Sequence, residues 1–169
     1  MRYNGKEQKF ELANFDPEAV EIVEGEGVLL KKGVGEYSVT LRLKNPKSDS
    51  NPEGQTWEDG TTDEITLDFK IIKAQIPDGG QIGIGNDGKP IIVDKDGNPW
   101  PDFDFDFGDL LDVEFYDKDG NKVEREDLVP GESYTVKIKV KNPADFDNAI
   151  ENGSSIRDQI TEKNENGGF

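Results

Sequence analysis

The stretch PDFDFDFGD, from Pro101 to Asp109, sets a carboxylate against a phenyl ring three times in succession. As a strand it would turn Phe103, Phe105 and Phe107 to one side and Asp102, Asp104 and Asp106 to the other, because successive side chains alternate. Aspartates on that face would stand roughly 7 Å apart at about 3.4 Å per residue. A calcium ion, bonded at about 2.3–2.6 Å, could be reached from two of them, with Asp109 or Asp112 completing the shell. A second role fits the same row: charges that keep an aromatic strand from pairing edge to edge with another chain. Like charges in a chain of net charge −17 need a cation or a lysine face opposite them.

Further carboxylates stand in a repeated pentapeptide, Asp-Lys-Asp-Gly-Asn, at Asp94 to Asn98 and again at Asp117 to Asn121. Asp94, Asp96, Asp117 and Asp119 are thus candidate ligands for the same ion. Both copies begin like an EF-hand calcium loop, which requires glycine at its sixth position and glutamate at its twelfth. Here glycine is fourth and the twelfth residues are Phe105 and Leu128, so the EF-hand is excluded. A β-hairpin turn accounts for the motif better, with aspartate accepting local backbone hydrogen bonds and Gly97 or Gly120 adopting a left-handed conformation. Asn86-Asp87-Gly88 is a similar turn, placed to open the strand PIIV.

Composition removes much other chemistry. The chain has no cysteine and no histidine, so disulfides, thiol nucleophiles, imidazole bases and the usual zinc ligands are absent. Thirty-seven acids against twenty bases repel nucleic acid and anionic lipid. No segment approaches the roughly 20 apolar residues of a membrane span. The start, MRYNGKEQKFEL, lacks a signal-peptide core, which leaves a cytosolic protein or one whose export signal Met1 replaces. GGQIGIGNDG lacks the helix and the lysine-serine pair of a phosphate loop. Paired carboxylates for a hydrolase are plentiful by chance, and none stands out by an apolar setting. Trp57 and Trp100 could stack on a sugar or cap a core.

The elements that must position these residues alternate with period two. Tyr37, Val39, Leu41 and Leu43 face one way and Ser38, Thr40, Arg42 and Lys44 the other, before Asn45-Pro46 stops the run. Tyr134, Val136, Ile138 and Val140 repeat the pattern before Asn142-Pro143. VEIVEGEG and VEFYDKDG lie upstream of the two runs, so an internal duplication is expected over about 17–76 and 110–147. Ile65, Leu67, Phe69 and Ile71 make a further strand, as do Phe10 with Leu12 and Val113 with Phe115. Helix is limited to Asp16-Pro17 and to a turn begun by Ser155 and Asp158 ahead of Ile156 and Ile160. The residues from 161 to 169 read as a flexible tail.

After Asn45-Pro46 the chain supplies a polar loop and the strand EITLDFKII, whereas nothing comparable comes after Asn142-Pro143. The second repeat is one strand short, which leaves an edge that QKFELANF could fill from the same chain or a neighbour. The run LVPGESYTVKIKVKNP resembles the "PG, strand, KN" segment of bacterial and archaeal extracellular immunoglobulin-like domains, including those of matrix and fibre-forming proteins. That resemblance implies a β-sandwich outside the cell, in adhesion or assembly, and carries over no functional residue. The family pattern continues into another strand after KN, and this chain departs from it there.

The expectation is an all-β protein: one antiparallel sandwich over 1–169, immunoglobulin-like or jelly-roll-like, with at most one or two short helical turns. Its expected role is non-enzymatic and extracellular, a cell-surface subunit that self-associates into an oligomer or filament by strand exchange or by calcium between acidic faces. The alternative is an adhesin-like module that binds carbohydrate or protein.

Overall fold

The structure, a computed structural model, describes all 169 residues and divides into two compact units where one sandwich is expected. The first comprises Met1 and Glu7–Ile71, the second Arg2–Lys6 and Ile72–Phe169. In chain order the strands are β1 (Gln8–Lys9), β2 (Val20–Ile22), β3 (Leu30–Lys31), β4 (Gly35–Leu43), β5 (Ile65–Ile71), β6 (Gln81–Ile84), β7 (Pro90–Val93), β8 (Leu111–Tyr116), β9 (Lys122–Val123) and β10 (Thr135–Val140). Two helices complete the chain, α1 (Pro143–Ala149) and α2 (Gly153–Glu165). Antiparallel strands dominate, and no helix is long and apolar enough to cross a membrane.

In the first unit β4 lies between β2 and β5, both antiparallel to it, and β1 pairs with β3. The expected alternation holds: Val39, Leu41 and Leu43 are buried while Glu36, Ser38 and Arg42 are exposed. Leu29, Val39, Leu41 and Phe69 form the dry centre, with Phe10, Phe15, Tyr37 and Trp57 packed around it. Phe10 stacks on Phe69 at 4.6 Å between ring centroids. Asp16-Pro17 makes one turn, in which the Asp16 carboxylate accepts the Glu18 N–H at 3.0 Å.

In the second unit β8 lies between β10 and β9, and β6 pairs with β7 in a hairpin. Val136 and Ile138 face inward opposite Phe115 and Val113, and Lys137 and Lys139 face outward opposite Glu114 and Asp112. Both Asn-Pro strands therefore pair antiparallel with the upstream strand of their own half that begins or carries Val-Glu, β2 at Val20-Glu21 and β8 at Val113-Glu114. The registers differ: Val20 lies opposite Leu43, the residue three before Pro46, whereas Val113 lies opposite Ile138, five before Pro143.

The two Asn-Pro stops then diverge. Asn45 leads into a loop, where its side-chain oxygen accepts from Asn51 Nδ2 at 2.7 Å. Asn142 is instead the N-cap of α1, accepting from the Ala144 and Asp145 N–H groups at 2.9 and 3.3 Å, with Pro143 in the first turn. The residues downstream decide the outcome: Phe146 and Ile150, then Ile156 and Ile160, are buried while Asn148 and Asp158 between them are exposed, so the dry positions follow a helical period and not the two-residue period of a strand. The chain is thus strand-rich rather than all-β, and its helices exceed the expected short turns, α2 alone running to 13 residues. The expected flexible tail begins inside α2, and beyond that helix the Gly168 N–H bonds Lys163 O and the Phe169 N–H bonds Val136 O.

Candidate functional site

PDFDFDFGD keeps its alternation without becoming a ladder strand. Phe107 is buried and Phe103 and Phe105 are half-buried, while Asp102, Asp104 and Asp106 are exposed. The rings stack in series, Phe103 to Phe105 at 5.8 Å and Phe105 to Phe107 at 4.4 Å, with Tyr3 edge-on to Phe105 at 5.6 Å. No strand pairs with the run, because Pro99 and Pro101 lack N–H donors and Asp102 turns the backbone at φ 56°. Its neighbour is the N-terminal segment: the Asp106 N–H bonds Asn4 O at 2.8 Å, and Lys6 Nζ reaches Asp104 at 2.6 Å. Gly5 allows this approach, since a Cβ there would stand 1.8 Å from the Asp106 carbonyl oxygen.

The candidate metal ligands are dispersed by the same local bonds. Asp106 accepts the Gly108 N–H at 2.8 Å, and Asp104 is paired with Lys6. Asp94 accepts from the Asp96 and Asn98 N–H groups at 2.9 and 3.0 Å, and Asp117 accepts from those of Asp119 and Asn121, both at 2.9 Å. Asp109 is exposed in the turn after Phe107, and Asp102 is exposed at the other end of the run. Nowhere do three carboxylates gather closely enough to hold a metal ion. An open groove of about 530 Å³ in the second unit does collect Asp104, Asp106 and Asp112, but it also collects Lys6, Lys89 and Arg125.

The Asp-Lys-Asp-Gly-Asn repeats are hairpin turns, and the same turn occurs four times, at Trp57–Thr61, Gly85–Lys89, Asp94–Asn98 and Asp117–Asn121. In each, the first N–H bonds the fifth carbonyl and the fourth N–H bonds the first carbonyl. The fourth residue is always glycine, at φ 82°, 77°, 84° and 82°, a left-handed conformation that side chains resist. The copy at Asp94 keeps its pairing despite Pro99, for Val93 bridges Pro99 and the Trp100 N–H bonds Ile92 O at 2.9 Å. Glu58-Asp59-Gly60 carries the same Asp-Gly signal, which sequence reasoning misses because a long polar loop surrounds it.

Electrostatics follows these bonds. Donation from Thr61 to Asp59, from the Thr40 N–H to Glu24, from Tyr116 to Glu114 and from Arg157 to Asp147 holds all four carboxyls below their ordinary pKa. Tyr116 is raised by the same bond and stays protonated. Burial lowers Lys163, whose ammonium donates to Ile82 O at 2.8 Å and lies over the Phe169 ring. Trp57 gives its indole N–H to Asp63 O at 2.6 Å and packs on the first unit's core.

The strand edges carry the clearest functional geometry. On β10, the edge away from β8 is closed by α2 and by the chain end. Asn164 Oδ1 accepts the Ile138 N–H at 3.1 Å, Asn164 Nδ2 donates to Ile138 O at 2.6 Å, and Phe169 bonds Val136 O at 2.8 Å. Asn152 serves Ile76 in the same two-way manner. The edge that sequence reasoning leaves for an N-terminal strand is therefore filled by a helix, and β1 pairs with β3 instead. In β6, Ile82 O takes the Lys163 ammonium, and in β7, Ile92 O takes the Trp100 N–H.

On β5 the situation is reversed. It is the last strand of its sheet, seven residues long, with no proline and a Leu67 that remains 39% exposed. Its outer edge is occupied only at Lys70, whose carbonyl accepts from the Met1 ammonium at 3.2 Å. No family model, curated protein or solved structure matches this chain, so the reading of its function rests on these residues and their geometry.

Proposed function

We propose that this chain is a non-enzymatic structural subunit that works by self-association, with the open edge of β5 as its contact. The carrying observation is the contrast between a seven-residue edge met only at Lys70 and the helix and chain end that cover β10. Long, flat edges with apolar side chains are what soluble proteins otherwise shorten, charge or cover. Under this reading each three-stranded sheet, dry on one face, is one layer of a sandwich, and the resemblance of LVPGESYTVKIKVKNP to extracellular immunoglobulin-like domains supports a place at the cell exterior. Support for calcium bridging is poor, since four of the eight candidate carboxylates, those of Asp94, Asp104, Asp106 and Asp117, are already bonded within their own turns or to Lys6. A sugar platform at Trp57 has little support too, because its indole N–H is already bonded and its ring packs on the core.

Sedimentation velocity of the purified chain over a wide concentration range tests the proposal. Growth of a larger species with concentration is expected, and a single monomer boundary up to millimolar protein would refute it.

A further inference from the structure

Resting on that reading, we infer that the occupant of the β5 edge is β5 of a second copy, antiparallel and centred on Leu67. The backbone sets which residues can take part. In a strand the N–H and C=O of one residue point the same way, and alternate residues point to opposite edges. Lys70 O points outward, since it meets the Met1 ammonium. Thr66 and Asp68 therefore also point outward, and they have no backbone partner on that edge.

Charge then selects among the registers that pair these residues. Centring on Asp68 sets that carboxylate directly against its own copy, and centring on Thr66 sets Glu64 against Asp68; like charges directly opposite destabilise a strand pair. Sliding to Phe69 sets Asp68 against Lys70 and Thr66 against Ile72, and both outward carbonyls are already taken, one by the Met1 ammonium and the other by the Tyr3 N–H. Centring on Leu67 avoids the like-charge contacts and meets the occupied edge at one position only, Lys70 opposite Glu64. Thr66 meets Asp68 of the other copy and Asp68 meets its Thr66, each pair exchanging both N–H···O bonds. Glu64 meets Lys70 twice, an opposite-charge pair on the wet face. On the dry face the exposed Leu67 meets its own copy, and Ile65 meets Phe69, extending the apolar layer across the seam.

The contact is two-fold, with the same patch on both copies, so it closes at a dimer and joins two three-stranded sheets into one of six. It does not propagate, and the fibre expected from head-to-tail strand donation does not arise from it.

Sedimentation velocity of the full chain at physiological ionic strength, with circular dichroism as a fold control, tests the register through three variants. Wild type should show a monomer–dimer equilibrium without larger species. Thr66→Pro removes an outward N–H and leaves the ladder to β4 intact, a position where an edge strand tolerates proline, and it should weaken the dimer at least about tenfold through the lost cross-copy bonds. Glu64→Lys places two lysine pairs face to face and should weaken it on the order of tenfold, whereas Glu64→Lys with Lys70→Glu restores the opposite charges and the wild-type affinity. A wild type that stays monomeric would overturn both this inference and the self-association reading. Association that neither Thr66→Pro nor Glu64→Lys changes would overturn the β5 contact alone. A double variant no tighter than Glu64→Lys would overturn the register.

Discussion

Replacing Asn164 by alanine removes both bonds that close the edge of β10. The Ile138 N–H loses an acceptor at 3.1 Å and the Ile138 carbonyl loses a donor at 2.6 Å, on a residue whose side chain is fully buried. Each such bond contributes about 0.5–1.5 kcal/mol net, and partly buried groups left unpaired lie at the upper end, so the pair amounts to about 2 kcal/mol. For a unit of roughly 100 residues this corresponds to a fall in melting temperature on the order of 10 °C. Urea unfolding of Asn164→Ala should reproduce the loss, and hydrogen exchange should show the Ile138 amide losing protection more than its neighbours in β8. Asn164→Asp keeps an acceptor for the N–H but sets a carboxylate oxygen against the Ile138 carbonyl, so it should be at least as costly. An alanine variant within about 0.5 kcal/mol of wild type, with the Ile138 amide as protected as before, would refute the view that a helix side chain replaces the missing strand.

Asp147 is held below its ordinary value of 3.8 by the two hydrogen bonds from Arg157 that join α1 to α2. A depressed carboxyl stabilises the fold above its unfolded pKa and loses that contribution as pH falls through the folded value, so acid denaturation curves of Asp147→Asn should flatten below pH 4 relative to wild type. Gly120→Ala should cost about 1 kcal/mol from left-handed strain alone, because a Cβ at φ 82° meets nothing within 4 Å, and Gly120→Asn should recover most of it in thermal melts. Gly5→Ala should be far more damaging, since its Cβ collides with the Asp106 carbonyl. Millimolar calcium should move the melting temperature no further than sodium of equal ionic strength; a larger shift, reversed by chelator, would mean that the carboxylates now bonded in turns and to Lys6 rearrange around an ion.

Alternation is legible wherever one sheet face is dry: β4, β5, β8 and β10 lie on the runs that show it, and apart from the exposed Leu67 their inward residues are those the pattern names. Three of the four Asp-Gly turns are legible because their geometry is settled within five residues, and the fourth, at Gly60, is hidden by the long polar loop around it. The helices are half legible. Ser155 and Asp158 mark the region of α2, but Asn142-Pro143 reads as a mere stop because the same dipeptide ends β4, and only the burial of Phe146, Ile150, Ile156 and Ile160 tells the two apart. The aspartate row is legible as an exposed face but not as an unpaired one, since alternation reports which side is wet and not whether a neighbouring strand exists.

By itself, then, the order of residues determined the local terms: which side chains turn inward, where glycine lets the chain reverse, and that cysteine and histidine chemistry is absent. Tertiary structure decided which edges are closed. Asn164 lies 26 residues from Ile138 and Met1 lies 69 from Lys70, and no local preference links such positions. A backbone edge presents the same N–H and C=O groups whatever the side chains are, so only the folded chain shows that β10 has found its partner and that β5 has not.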